Sequence, residues 1–214
     1  MSKIALLTRN GMTNLKDIAA CEFTAENLGD TLAKTNRFTG RTPQPWSVAA
    51  HSVLVSRLCH SPEAKAAGLL HDAHEAFIGD VTTPAVEFIA SQNEPIGGNI
   101  IRSAVEQAKA ELDRQIGYHW GVAFLYNRNE VAHADRIALL AEMTTFFSSP
   151  VAVREEDQDD VERALNLLRS FPTNGNWWHA YKLWYSEAHR LAQVGCLTLP
   201  KTDDQDAEPI AAAV

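Results

Sequence analysis

Residues Gly68 to Pro84 read GLLHDAHEAFIGDVTTP. Leu69, Leu70, Ala73, Ala76 and Phe77 give this stretch the look of a buried helix. His71, Asp72, His74, Glu75 and Asp80 set titratable groups among those apolar residues. Such groups can be buried only if they are paired, hydrogen-bonded or bound to a metal. The segment therefore requires partners from other elements, which narrows the folds open to the chain. At 3.6 residues per turn, His71, Asp72, Glu75 and Gly79 fall close to one face, with the small Gly68 beside them.

The rest of the chain offers mainly helices as partners. Thr24 is placed to cap TAENLGDTLAKTNRF, in which Leu28, Leu32 and Phe38 repeat at near-helical spacing. GRTPQP reads as a stiff loop, followed by a helix from about Trp46 to His60. Pro62 opens the helix that carries the titratable stretch, and Gly79-Asp80 breaks it. Thr83 then caps a helix with Pro84 first. After PIGGN, a helical repeat runs from Ile100 to Ile116 and ends at Gly117. Asn129 is expected to cap EVAHADRIALLAEMTTFF, which stops near Ser148-Ser149-Pro150. REEDQDDVERALNLLRS, with its acidic first turn, and NWWHAYKLWYSEAHRLAQ supply the last two helices. No convincing two-residue alternation marks a strand. The prediction is one all-α domain over residues 1–198, of about eight or nine helices, and an aperiodic tail over 199–214 that is expected to be disordered.

Composition limits the function classes. The chain has 214 residues, 45% hydrophobic and 21% charged, which fits a globular domain. A net charge of −8 argues against a protein that grips nucleic-acid backbone. No apolar run approaches the roughly 18 residues of a membrane span, and the opening apolar run is too short for a signal peptide. Cys21, Cys59 and Cys196 are widely spaced, without a C-x-x-C pair, as suits a reducing, cytoplasmic setting.

A divalent metal would stabilise the buried dyad, since imidazole and carboxylate suit several first-row ions. Adjacent His71 and Asp72 point about 100° apart and cannot complete a site alone. His51 in VAAHSVL, beside the small Ala49 and Ala50, and Asp135 in VAHADRIALL are the candidates from other helices. The order His51, His71-Asp72, Asp135 resembles that of the HD-domain metal-dependent phosphohydrolases, most closely the bacterial and phage 5'-deoxynucleotidase branch. AAHSVLVSRL, GLLHDAHEAFIGDVTTP, VAHADRIALLAE and TNRFTGRTPQPWSVAAHS carry the resemblance, which covers roughly Thr24 to Phe147.

The resemblance implies a helical bundle with one divalent ion (Co2+, Mn2+, Zn2+ or Mg2+) held by His51, His71, Asp72 and Asp135. It implies hydrolysis of the 5'-phosphate ester of a nucleotide, chiefly a deoxynucleoside 5'-monophosphate. Glu75 is then placed to orient or deprotonate the attacking water. Asp80 contacts the sugar or protonates the leaving oxygen, and Arg37 clamps phosphate. Phe38 or Trp46 walls the base or sugar pocket. The alternatives are a (deoxy)nucleoside triphosphohydrolase, for which Lys34 and Arg41 offer further cations, and a catalytically silent nucleotide-binding regulator.

His74 lies roughly 60° or more off the polar face and reads as a packing or supporting histidine. Glu142, on the face of Asp135, either supports the site or pairs with a cation. The superfamily also contains di-iron oxygenases that need two further histidines; His119 and His133 supply the number but sit at unsuitable positions. Trp177, Tyr181, Trp184, Tyr185 and Ala188 read as core or as a homodimer seam rather than a base platform.

Overall fold

The computed structural model describes residues 3–95, 97–147, 151–171 and 176–201. Within them lie nine α-helices and one short antiparallel hairpin, β1 (Ala5–Thr8) and β2 (Gly11–Asn14). The all-α expectation holds, with the hairpin as its correction. Arg9 and Asn10 form the turn, and Gly11 follows at φ +113°, a conformation that suits glycine. The tail from residue 202 onward and Ser148-Ser149-Pro150 lie outside the described residues.

Side chains set the helix starts near the site. Thr24 opens α1 (Ala25–Lys34) by accepting from the Asn27 N–H, and Ser47 opens α2 (Val48–Leu58) by accepting from the Ala50 N–H. Ser61 does the same for α3 (Pro62–Leu70) through the Ala64 N–H, with Pro62 in the first turn. A single turn, α4 (Glu75–Ile78), follows, then α5 (Thr83–Ser91), α6 (Gly98–Trp120), α7 (Phe124–Phe146), α8 (Gln158–Ser170) and α9 (Trp177–Gln193). None of the described helices is long and apolar enough to cross a membrane.

Three predicted boundaries move. The α6 helix passes through Gly117 and ends at Gly121, whose φ of +66° suits its capping position. The α7 helix starts at Phe124, so Asn129 sits inside it rather than at its cap. The residue preceding α5 is Thr82, one earlier than predicted.

The central rod is α2, in which every residue but Arg57 is buried; α1, α3, α7, α8 and α9 pack around it. Its neighbour α3 comes close because Gly68 has no side chain. A Cβ there would stand 3.2 Å from Cys59 Sγ and 3.3 Å from the Ser56 backbone. Since α2 carries His51 and α3 ends at His71, this approach sets the site's width. Gly68→Val is expected to destabilise the fold by about 1–3 kcal/mol through overpacking, measured by urea unfolding.

The aromatic last helix belongs to the core. Trp184, Ala188 and Leu191 of α9 are fully buried, and the Trp184 indole donates to the Leu69 carbonyl. Trp177 and Trp178 remain partly exposed at its start. The α5 helix and the first half of α6 pack mainly on each other, leaving Phe88, Ile89 and Ile100 exposed.

Candidate metal centre

The polar stretch does not continue as one α-helix. After Leu70 the backbone tightens: the N–H groups of Ala73, Glu75, Ala76 and Phe77 donate three residues back, to Leu70, Asp72, Ala73 and His74. Such 3₁₀ spacing brings side chains at i and i+3 into line, here Asp72 with Glu75. The single α-helical face predicted for His71, Asp72, Glu75 and Gly79 is corrected accordingly. Gly79, at φ +76°, then turns the chain so that Asp80 returns to the same cleft.

Four side chains from α2, the tightened turn and α7 converge. His51 Nε2 lies 3.3 Å from His71 Nε2, 3.0 Å from Asp135 Oδ1 and 3.6 Å from Asp72 Oδ2. His71 Nε2 lies 3.2 Å from Asp72 Oδ2 and 3.7 Å from Asp135 Oδ1. An ion held at about 2.1 Å in a tetrahedral shell separates its ligands by about 3.4 Å. These separations bracket that figure; His51, His71 and Asp72 form a group that could hold a metal ion, and Asp135 approaches both histidines. The donor set of two imidazoles and two carboxylates fits a divalent first-row ion.

Both histidines are oriented for ligation. The His51 Nδ1–H donates to Glu142 Oε1 at 2.7 Å, and the His71 Nδ1–H donates to the Gly68 carbonyl at 2.8 Å. Because a carbonyl and a carboxylate only accept, these bonds place a proton on Nδ1, so each ring in its neutral form would offer Nε2 to an ion. Without an ion, burial opposes protonation, but the facing carboxylates outweigh it and raise both histidine pKa values.

Glu142, left open between two roles in the sequence, fills both. Its side chain is fully buried. Besides His51, it accepts from Trp46 Nε1–H at 2.8 Å and from Arg37 Nε–H at 3.2 Å. Arg37 in turn reaches Asp72 Oδ2 at 3.3 Å through Nη1. Glu142 thus ties Arg37, the Trp46 indole and His51 together.

Charges at the centre are strongly interdependent. Burial opposes ionisation of Asp72, but His71, His51 and Arg37 outweigh it and hold its pKa below the ordinary carboxylate range. Burial likewise opposes ionisation of Asp135, and the two histidines outweigh it. Glu75 goes the other way: burial, then Asp72 and Asp80, push its pKa up to about 9. Burial and Asp72 also raise Asp80.

Arg37, Phe38, Asp72, Glu75, Asp80 and Asp135 all line one cleft of about 870 Å³, within the ordinary size of a small-molecule site. Arg41 and Lys109 add positive charge to it. Lys109 gave no signal in the sequence, because its place depends on where α6 crosses the site. Phe38 and Thr39 take left-handed φ values of 55° and 52°, costing roughly 1–2 kcal/mol each, as backbones held for function do. The Phe38 ring rests edge-on against Phe147 at 5.1 Å.

Trp46 is the predicted site residue that the structure places elsewhere. It is 7% exposed, packs against Phe146 and Phe171, and does not line the cleft. Its indole N–H serves Glu142, and its ring borders two other cavities, so it is not a wall of the cleft that holds Arg37 and Asp72. His133 pairs with Asp160 and His119 stacks on Phe23, both outside the four-ligand group. His74 donates from Nδ1 to Asp113 Oδ1 at 2.9 Å. No protein-family model and no curated protein matches this chain.

Proposed function

We propose that this protein hydrolyses the 5'-phosphate ester of a nucleotide, with a deoxynucleoside 5'-monophosphate as the simplest substrate. The observation that carries the reading is the convergence of His51, His71, Asp72 and Asp135, at 3.0 to 3.7 Å, beside a cleft that also holds Arg37, Arg41 and Lys109. The likeness of these sequence blocks to HD-domain phosphohydrolases supports it.

A divalent ion bound by these four side chains supplies Lewis acidity toward a phosphoryl oxygen and lowers the pKa of water. The rest falls to the chain. Arg37 spends Nε and Nη1 on Glu142 and Asp72, and its Nη2 makes no hydrogen bond among the described residues. Those two bonds fix the guanidinium plane, leaving a donor edge for phosphate. Phosphoryl transfer needs such positioning and charge neutralisation more than covalent help. Glu75 is the candidate base. Its carboxyl is protonated at neutral pH in the metal-free chain, because burial and Asp72 raise it. Positive charge beside Asp72 offsets that repulsion and brings Glu75 toward ionisation. Asp80, raised as well, is suited to hold a proton near the leaving oxygen.

A second reading, release of triphosphate from a nucleoside triphosphate, gains from Arg41 and Lys109, which add cations beyond Arg37. A silent nucleotide-binding regulator is the least favoured, since Glu75 and Asp80 accompany the four ligands in full. The native ion among Co2+, Mn2+, Zn2+ and Mg2+, and self-association through the exposed start of α9, belong to the same proposal.

The deciding measurement is product analysis over a panel of nucleotides with each metal. Inorganic phosphate from deoxynucleoside monophosphates, stopped by EDTA, is the expected result. Triphosphate among the products would select the second reading, and no turnover of any nucleotide would overturn both. Glu75→Gln is expected to keep the ion on the four ligands while turnover falls about 10²- to 10⁴-fold. Near-normal rates would remove Glu75 from the role of base.

A further inference from the structure

Three histidines near the cleft share one device. His51, His71 and His74 each commit Nδ1–H to an acceptor: Glu142, the Gly68 carbonyl and Asp113. In the neutral ring each is thereby left with Nε2 free to bind a cation. For His51 and His71, Nε2 meets the four-ligand centre. His74 Nε2 does not. The residue is only 5% exposed, and among the described residues this nitrogen has no hydrogen-bond partner. Its neighbour Glu75 is 7% exposed and buries Oε2 equally without a partner.

Two adjacent, buried polar atoms without a hydrogen-bond partner are a costly arrangement in the absence of a ligand. Ligand atoms of Asp72, His74 and Glu75 lie within 4.8 Å of one another. The tightened backbone is responsible, since 3₁₀ spacing aligns Asp72 with Glu75. One imidazole and two carboxylates make up a donor set for a divalent first-row cation.

We infer that Asp72, His74 and Glu75 form a second divalent-cation site, with Asp72 shared between it and the four-ligand centre. Asp113 orients His74 as Glu142 orients His51, so each ion-facing imidazole is backed by a carboxylate. Three protein ligands leave coordination positions open for oxygens of a substrate. Whether the protein hydrolyses nucleotides does not bear on this site, which is read from metal content alone.

The test uses the full chain, stripped by chelator and titrated with Mn2+, with unbound ion followed by electron paramagnetic resonance. Two equivalents per chain are expected, the second weaker, with a spin-coupled signal from two ions that share a carboxylate. His74→Gln is expected to remove the second equivalent. Asp113→Asn is expected to weaken it about 10- to 100-fold while the first changes by less than about threefold. A single equivalent in the wild-type chain at millimolar Mn2+ would overturn the inference. So would two uncoupled ions, or a second equivalent that both variants leave unchanged. The wild-type stoichiometry decides the matter even if a variant fails to fold.

Discussion

Asp72→Ala is expected to abolish metal uptake and phosphate release together. Asp72 stands 3.2 Å from His71 Nε2 and 3.6 Å from His51 Nε2, and Arg37 reaches it at 3.3 Å. Removing it would take one candidate ligand from the centre and one of two carboxylate partners from Arg37. An ion that polarises phosphoryl oxygen supplies several kcal/mol, so activity is expected to fall at least about 1,000-fold. Metal content by mass spectrometry and phosphate release on the same sample provide the check. An Asp72→Ala protein that kept both would remove the four-ligand centre from the account.

The same residue has a signature in the metal-free chain. Its folded-state pKa is depressed, since the histidines and Arg37 outweigh the effect of burial. A depressed carboxylate stabilises the fold above its unfolded pKa, about 3.9, and that contribution is lost as pH falls through the folded value. The difference in unfolding free energy between wild type and Asp72→Ala is therefore expected to be full near pH 7 and to shrink in acid. A difference that grew in acid would mean that Asp72 is not ionised in the folded chain.

The helices near the site were legible because each carries its own signal. Thr24 caps α1 as predicted, and the hydrophobic spacing of α8 and α9 repeats with the helical period. The convergence of His51, His71, Asp72 and Asp135 was legible for a related reason: charged groups in apolar helices need an external partner, whatever the fold. Other features depend on tertiary contacts that spacing does not encode. The hairpin pairs only four residues a side, too short for a clear alternation, although Asn10-Gly11 marks its turn. The α7 helix begins five residues before Asn129, because a possible cap in mid-sequence does not stop a helix whose following turns pack well. The expectation that Phe38 or Trp46 walls the base or sugar pocket came with the resemblance and not from spacing. The true place of Trp46 follows from Glu142, 96 positions away, which accepts its N–H. His74 lay off the polar face only while that face was drawn with 3.6 residues per turn, and the i to i+3 bonds after Leu70 remove that premise.

Glu142 carries the other large expectation, because it is the one fully buried carboxylate behind the four-ligand centre. Burial opposes its ionisation, but His51 and Arg37 more than offset this and hold its pKa below the usual range. Trp46, His51 and Arg37 all donate to it. Glu142→Ala strips the network of the acceptor that Trp46, His51 and Arg37 share and leaves Arg37 with Asp72 alone. Breaking such a pair costs about 3–5 kcal/mol, which urea unfolding at neutral pH would register. Glu142→Gln keeps the volume and one acceptor oxygen but gives up the charge that fixes the His51 proton on Nδ1. That variant is expected to fold and to bind the ion about 10- to 100-fold more weakly, as loss of a carboxylate behind a ligating histidine does. Glu142→Asp keeps the charge but shortens the reach, so partial recovery of metal affinity over Glu142→Gln separates charge from shape. Equal affinity in wild type and Glu142→Gln would show that His51 needs no carboxylate behind it, and would reduce Glu142 to a packing role.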